Sequence, residues 1–322
     1  GSGSTYIYMA IRRGPLFPPE AATEVFAINT QVGAYPNGPS FISGFPVDMS
    51  LTYYNNSGGK YVGTRLQGSK HFLGTTSRNA EQTSTQWKWD IQNGWYTDGG
   101  TSTSIYSWMW KRAPGFFDVV AYTGDGTTAR AIPHNLGVAP EMMFHKRRNA
   151  VNDWYVPDFQ NSKLLLLNYD AAAYDTSLLA NYYGSGNGSS GGAGSVVTPN
   201  ASTFTVTPNP NVNGSGDTYI AYLFATLAGV SKVGSVTHSG TTNVDCGFSA
   251  GARFVILKRT DAASNWYSWD TVRGIVSGND PYMILNSTAS TVTNTDFIDP
   301  LNAGFTLSSS LTSGDYIFYA IA

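Results

Sequence analysis

One pattern of apolar positions recurs four times along the chain, each time after a polar, glycine-rich stretch. It reads Tyr6-Ile7-Tyr8-Met9-Ala10-Ile11, then Tyr106-Ser107-Trp108-Met109-Trp110, then Tyr219-Ile220-Ala221-Tyr222-Leu223-Phe224, and last Tyr316-Ile317-Phe318-Tyr319-Ala320-Ile321. Side chains alternate across a strand. Tyr316, Phe318 and Ala320 therefore share one face, and Ile317, Tyr319 and Ile321 the other. Both faces are apolar, which predicts a strand interior to its sheet and covered on both sides. The copies begin at residues 6, 106, 219 and 316, which are 100, 113 and 97 residues apart. That is the length of a small domain and not of a solenoid repeat. The pattern predicts three units, each ended by this strand, with the first copy closing a unit that precedes them.

Between the copies, short apolar runs alternate with Gly, Asn and Ser turns, about six to eight strands per unit. The predicted division is a closing strand of a preceding repeat over 1–14 and β-sandwich repeats over 15–115, 116–229 and 230–322. Unit one opens with a proline-rich spacer, Pro15-Leu16-Phe17-Pro18-Pro19-Glu20, where missing donors disfavour a ladder strand. Its end predicts a hairpin from Gly94–Thr97 to Tyr106–Trp110 across Asp98-Gly99-Gly100. In unit two, the glycine- and serine-rich run 184–194 predicts an exposed loop. Units two and three match without a gap: residues 146–158 lie over 258–270 at an offset of 112. Lys146, Arg147, Trp154 and Asp158 fall on Lys258, Arg259, Trp266 and Asp270. Each copy predicts a hairpin with a polar loop, at 147–153 and 259–265, followed by an apolar strand ending in Asn168 or Asn286. Unit one keeps only the outline. No segment holds a helical period over three turns; Ala21–Ala27 comes nearest. The fold class predicted is all-β, with tandem antiparallel β-sandwich (jelly-roll-like) repeat domains and little or no helix.

Composition agrees with this pattern. Only 12% of the residues are charged, against 35 Gly, 20 Tyr, 16 Phe and 8 Trp. The net charge of −2 gives no electrostatic case for nucleic acid. The basic pairs Arg12-Arg13, Lys111-Arg112, Lys146-Arg147 and Lys258-Arg259 read as solvated strand ends. The lone Cys246 excludes an intrachain disulfide and reads as a small core residue. The longest apolar stretch, 219–230, is shorter than the ~20 residues of a membrane span. The chain opens on Gly1-Ser2-Gly3-Ser4-Thr5 and runs directly into the second half of a hairpin, as a segment of a longer protein would; an expression tag is the competing reading. Tyr6–Ile11 is expected in a sheet, paired outside this segment or with a neighbouring subunit.

Candidate chemistry is sparse. His71, His134, His145 and His238 show no metal-ligand spacing and read as surface or loop residues. No nucleophile elbow or phosphate loop is present. Asp158 and Asp270 recur at equivalent positions, which points to a structural role, since a catalytic pair seldom needs two copies. Asp270 to Gly274 predicts a turn closed by Asp270 and Arg273. Asp125, Asp217 and Asp315 sit in Gly-flanked turns, with calcium the sharper reading and turn formation the plainer one. Trp87, Trp89, Trp95, Trp154, Trp266 and Trp269 read first as core or subunit-interface residues, since large aromatics dominate both, with stacking on sugars as the alternative. Trp154, Trp266 and Trp269 are the ligand-contact candidates. Nothing calls for a cofactor.

Several stretches resemble virion structural and tail-fibre proteins of marine tailed phages, including those that infect cyanobacteria. They are residues 6–15, Tyr61-Val62-Gly63-Thr64-Arg65-Leu66-Gln67-Gly68, Trp87-Lys88-Trp89-Asp90, His134-Asn135-Leu136-Gly137-Val138-Ala139-Pro140-Glu141-Met142, Lys258-Arg259-Thr260-Asp261 and Trp266 through Gly274. The resemblance spans almost the whole chain and carries no catalytic residues. It implies a non-enzymatic virion component assembled in host cytoplasm: a tail fibre or appendage for host attachment, self-associating as a trimer. Its implied partners are other virion proteins and a host-surface glycan or protein receptor. The alternatives are a glycan-binding or depolymerising tailspike module, and a capsid-surface decoration protein.

Overall fold

The computed structural model describes residues 17–33, 37–55, 58–97, 102–188, 192 and 194–322. The protein is all-β: these residues form 23 strands, the helices Thr176–Tyr183 and Pro210–Asn213, and one 3-10 turn at Ala22–Glu24. The longer helix starts where the Asp175 carboxylate accepts the N–H groups of Ser177 and Leu178, which satisfies donors that a helix start leaves free. The nearest helical candidate of the sequence, 21–27, is that 3-10 turn running into the strand Phe26–Gln31.

The strands group into three units with one shared plan. Each main sheet runs opening, closing, second, third and fourth strand, all antiparallel. In unit one these are Phe26–Gln31, Ser102–Trp110, Met49–Tyr54, Gly59–Thr64 and His71–Gly74, with Gln82–Thr83 added at the edge. In unit two they are Phe117–Thr123, Thr218–Phe224, Met142–Arg147, Trp154–Asp158 and Lys163–Leu166. In unit three they are Ser231–His238, Gly314–Ile321, Phe254–Arg259, Trp266–Asp270 and Tyr282–Ile284. A smaller sheet completes each sandwich: Phe41–Ile42 with Gly94–Trp95, Arg130–Pro133 with Thr203–Val206, and Thr242–Asp245 with Gly304–Leu307 and Ile298–Leu301. The hairpin predicted from 94–97 to 106–110 does not form. Gly94–Trp95 pairs with Phe41–Ile42 instead, so Trp95 stacks on Phe41 with ring centroids 4.9 Å apart.

The three described copies of the repeated strand are interior to their sheets. Their two apolar faces serve two different cores. Ala221 and Leu223 point into the sandwich core of unit two, and Tyr316, Phe318 and Ala320 into that of unit three. Ile220, Tyr222 and Phe224 point the other way, into a core shared with Ile317, Tyr319 and Ile321 and with Trp108 and Trp110. The units are therefore not beads on a string. The outer faces of their three main sheets pack on one another around a pseudo-threefold centre.

Cross-strand partners make the equivalence explicit. Met49, Met142 and Phe254 lie opposite Trp110, Phe224 and Ile321. By that register Tyr106 corresponds to Ile220 and not to Tyr219, so matching the copies by their first tyrosine is one residue out in unit one. A one-residue slip moves a side chain to the other face, and Tyr106 accordingly packs against the shared core. The links between units are tight turns. Ala113 N–H bonds Phe117 O at 3.0 Å and Leu227 N–H bonds Ser231 O at 3.1 Å. Gly115 (φ 74°) and Gly229 (φ 73°) supply the left-handed residue in each. The first copy, Tyr6–Ile11, lies outside the described residues.

Candidate functional site

The duplicated motif lies at the seams between units. Lys146 faces Trp154 across its hairpin, and Lys258 faces Trp266. At the seam of unit two on unit one, Trp154 Nε1 donates to Gly74 O at 2.9 Å. Lys146 Nζ donates to Arg147 O at 2.9 Å and to Arg78 O at 3.4 Å. Asn152 N–H bonds Arg78 O at 2.8 Å, and Glu81 N–H bonds Arg148 O at 2.7 Å. At the seam of unit three on unit two, Trp266 Nε1 donates to Leu166 O at 2.9 Å. Lys258 Nζ reaches Asp170 O at 3.0 Å, Ala171 O at 2.8 Å and Ser264 O at 2.5 Å. Ser264 N–H bonds Asp170 O and Ala173 N–H bonds Thr260 O, at 2.7 and 2.9 Å. The polar loops 147–153 and 259–265 are thus the connectors that dock each unit on the one before it.

The ring closes with an exchanged pair. In unit one, Tyr53 occupies the strand position of Lys146 and Lys258, and Lys60 faces it from the position of the two tryptophans. Lys60 Nζ lies 4.7 Å from the Tyr53 ring centre. It donates to Gly58 O at 3.0 Å and crosses to unit three, to Ser287 O at 2.7 Å and Ala289 O at 3.0 Å. Thr75 Oγ1 adds a bond to Leu285 O at 2.7 Å. Gly58 is required here. At φ 68° it is left-handed, and a Cβ on it would lie 1.7 Å from Thr288 O of unit three. Sequence reasoning missed Lys60 because the aromatic and the lysine have changed strands. The one available signal was a lysine seven residues after a tyrosine, in the place where units two and three set a tryptophan eight residues after a lysine.

All three lysines are fully buried. Burial lowers each Nζ to a pKa of about 8, from an ordinary value of 10.5. The basic pairs at 146–147 and 258–259 are therefore not solvated strand ends, because the neighbouring unit covers them. Their arginines differ: Arg147 Nη2 pairs with Asp217 at 2.5 Å, and Arg259 Nε with Asp261 at 2.7 Å.

The other predicted residues are also structural. Asp158 accepts Asn161 N–H at 3.1 Å and closes a turn. Asp270 accepts the N–H groups of Val272 and Arg273 at 3.0 and 2.9 Å, and pairs with Arg273 Nε at 2.6 Å. This pair is buried, and it faces unit one: Trp108 Nε1 donates to Asp270 Oδ2 at 3.2 Å, with the Arg273 guanidinium 5.2 Å from the Trp108 ring centre. Asn168 and Asn286, predicted as strand ends, accept the N–H of Trp154 and Trp266 at 2.8 Å. Asp125 accepts Thr127 N–H at 2.9 Å within its turn.

The aromatic candidates for sugar contact do not reach the surface. Trp154, Trp266 and Trp269 are each 0% exposed. The first two fill the seams, and Trp269 packs on Tyr267 and Tyr282 in unit three's own core. Trp87, Trp89 and Trp95 pack ring against ring inside unit one, Trp89 stacked on Trp95 and Trp87 edge-on to Trp89. Stacking on a ligand requires a free ring face, so none of these serves as a platform in the folded chain. The histidines depart from expectation too, since His134, His145 and His238 are buried. His145 is held between two tyrosines. Tyr122 donates its O–H to Val212 O and so accepts from His145 Nε2, while Tyr183 donates to Nδ1. Burial lowers the His145 pKa to about 3, and the ring stays neutral. Among the described residues no three His, Cys, Asp or Glu side chains converge on a metal-binding arrangement, and no helix is long and apolar enough to cross a membrane. Burial pushes the Cys246 thiol up to about 12.

No curated protein and no solved structure matches the chain. One protein family does, and its match runs over 44–322, which takes in units two and three, unit one after its strands Phe26–Gln31 and Phe41–Ile42, and the residues named at all three seams. The chain belongs to the family described as a domain of unknown function, DUF7483.

Proposed function

We propose that this chain is a non-enzymatic structural module of a phage virion, part of a tail fibre or related appendage that meets the host surface. The observation that carries this reading is the use made of the repeated ionisable residues. Lys60, Lys146, Lys258 and Asp270 are buried and engaged in joining units. With one apolar core common to all three units, they favour a rigid body. The resemblance to virion proteins of marine tailed phages supplies the setting. Its partners would be other virion proteins and a host-surface receptor, and its location the virion after assembly in host cytoplasm. The apolar faces that a trimer of single-unit chains would bury between subunits are covered here within one chain.

Immunogold electron microscopy of purified virions, with antibody raised against this chain, tests the reading. Label on tail fibres or tail tip supports it. Label spread over the capsid would make the chain a decoration protein, and virions without label would end the virion reading altogether. Release of reducing sugar from host polysaccharide would overturn the non-enzymatic part. In light scattering, a mass near 34.6 kDa would remove the trimer and leave the remainder standing.

A further inference from the structure

The connection between the third and fourth strands of the main sheet differs among the units. It takes six residues in unit one, 65–70, and four in unit two, 159–162. In unit three it takes eleven, 271–281. Its first turn is fixed by the Asp270–Arg273 pair, and Gly274 N–H bonds Asp270 O at 3.0 Å. The remainder, 274–280, lies as a strap against 295–299, which leads into the edge strand Ile298–Leu301 of the smaller sheet. Two bonds hold it there, Asp280 N–H to Thr295 O at 3.1 Å and Gly278 N–H to Asp299 Oδ1 at 3.3 Å. Within the strap, Val276 N–H bonds Asp280 Oδ1 at 2.7 Å. Ile275 packs against the core of unit three, and Val276 is 48% exposed. Gly274 (φ 124°) and Gly278 (φ 103°) flank this pair, in backbone conformations open to glycine and strained for other residues. They are the hinge positions of the strap.

The clasp of this strap is built from acids. Asp280 is fully buried. Its Oδ1 accepts from Val276, and the Ile298 N–H lies against the same carboxyl. Its Oδ2 has no hydrogen-bond partner among the described residues. Asp296 and Asp299 face it from the neighbouring segment, and Asp296 Oδ1 is a second buried oxygen without a partner there. No basic side chain forms an ion pair with any of the three among the described residues. Arg273, in the same connection, is engaged by Asp270. Tyr282 follows on the fourth strand and stays neutral, since burial raises its pKa. A buried carboxylate with neither a full set of donors nor a cation is costly, and a bound proton removes that cost. Burial first, and then the charges of Asp299 and Asp296, raise the Asp280 pKa to about 7 from an ordinary 3.8. The shorter connections of units one and two hold no acid at all.

We propose that residues 274–280 form an acid-closed strap, clasped while Asp280 carries a proton and loosened about Gly274 and Gly278 when that proton passes to solvent. Loosening hydrates the Asp280 carboxylate and moves it away from Asp296 and Asp299. It also turns Ile275 out of the core of unit three to join Val276 at the surface, so the strap offers an apolar pair when open and hides half of it when closed. The direction follows from linkage. The carboxyl of the closed strap has a raised pKa and that of the open strap an ordinary one, so closure is fully favoured below the ordinary value of 3.8. The advantage is lost as pH rises to about 7 and changes no further above it.

The test is amide hydrogen exchange of the full chain between about pH 5 and about pH 8, corrected for the intrinsic pH dependence of exchange. Protection at Val276 and Gly278 should fall by about tenfold or more over that range, while protection at Val255, in the middle of the main sheet, holds. Asp280→Asn carries no charge at any pH and should keep its acid-side protection at the alkaline end. If that variant fails to fold, titration of the Asp280 carboxyl carbon by NMR in the unaltered chain decides the matter. A midpoint near 7 supports the proposal, and one in the ordinary carboxylate range overturns it. Protection at 276 and 278 that is independent of pH would overturn it too, as would an Asp280→Asn chain that loosens as much as the wild type. Calcium chloride that restores protection at the alkaline end in the wild type and not in Asp280→Asn would make the clasp a cation site and end the proton reading.

Discussion

The seam of unit three on unit two and the seam of unit one on unit three do the same mechanical work with exchanged parts. In the first, Trp266 fills the space and donates one bond across, while Lys258 gathers carbonyls. In the second no tryptophan stands on that strand pair; Lys60 does the crossing with Tyr53 beside it on the neighbouring strand, and the tryptophan at this seam, Trp108, comes from the closing strand. The difference shows what a seam requires: one large ring and one buried Nζ, adjacent across an antiparallel pair, with the strand that carries each left free. Cross-strand neighbours are the unit of sheet stabilisation, so an exchange between them conserves the contact. The seam of unit two on unit one varies it again with ion pairs, Arg148 to Glu81 at 2.7 Å and Arg78 to Asp153 at 2.9 Å.

The largest effect should come from the ring-filling residue. Trp266→Ala and Trp154→Ala should each cost about 3–5 kcal/mol in chemical denaturation, the range for truncating a core tryptophan. A cost below ~1 kcal/mol would mean that the seams do not hold the fold together. Gly58→Ala should come next, since it combines a left-handed backbone, worth about 1–2 kcal/mol, with overlap on Thr288 O. Gly240→Ala is its control, because φ is 67° there with nothing within 4 Å of the added Cβ. Equal losses in the two variants would show that the closing seam gives way freely.

The lysines predict a pH dependence of about 1–3 kcal/mol each. Their folded pKa of about 8 lies below the ordinary 10.5. Between those values the unfolded chain keeps a proton that the folded chain has released, so stability rises with pH across that window. Lys258→Met lacks this gain, and wild type should draw ahead of it as pH goes from about 8 towards 10.5. A gap that stays flat would mean that Lys258 is hydrated. A smaller coupling is expected from the exchange itself. Tyr53→Lys with Lys60→Trp rebuilds the order of the other seams, and the double variant should be about 1 kcal/mol more stable than the sum of the singles predicts. Smallest is Glu81→Gln, at about 1 kcal/mol or less, shrinking in high salt, with no counterpart at the seam of unit three on unit two, where Thr260 stands in place of Arg148.

Much of the local structure was legible in the residues. The alternation in 219–224 and 316–321 identified interior strands with two buried faces. The match of 146–158 to 258–270 marked a motif with a structural purpose, and even its trailing asparagines proved to cap the tryptophan strands. The errors have different causes. Lys146 and Lys258 read as solvated because each was judged against its own unit, whereas the neighbouring unit supplies carbonyls to their Nζ atoms. His145 read as superficial because nothing in the linear order marks Tyr122 and Tyr183 of its own unit as its partners. The partner strand of Trp95 was misjudged because 94–97 and 106–110 are close in sequence, whereas Phe41 offered the better ring contact. Lys60 was missed because a residue and its cross-strand neighbour can trade places without leaving a trace in a linear alignment.

The sequence by itself determined the class of the fold, the three-unit plan and the apolar character of both faces of each closing strand. These follow from backbone geometry and side-chain periodicity, which are local. Only the tertiary structure decided that the second face of each strand is covered by the other two units, closing a ring around one core and turning lysines and tryptophans into seams. The hydrophobic effect is non-directional: it requires that an apolar face be covered, and says nothing about which surface of the chain will cover it.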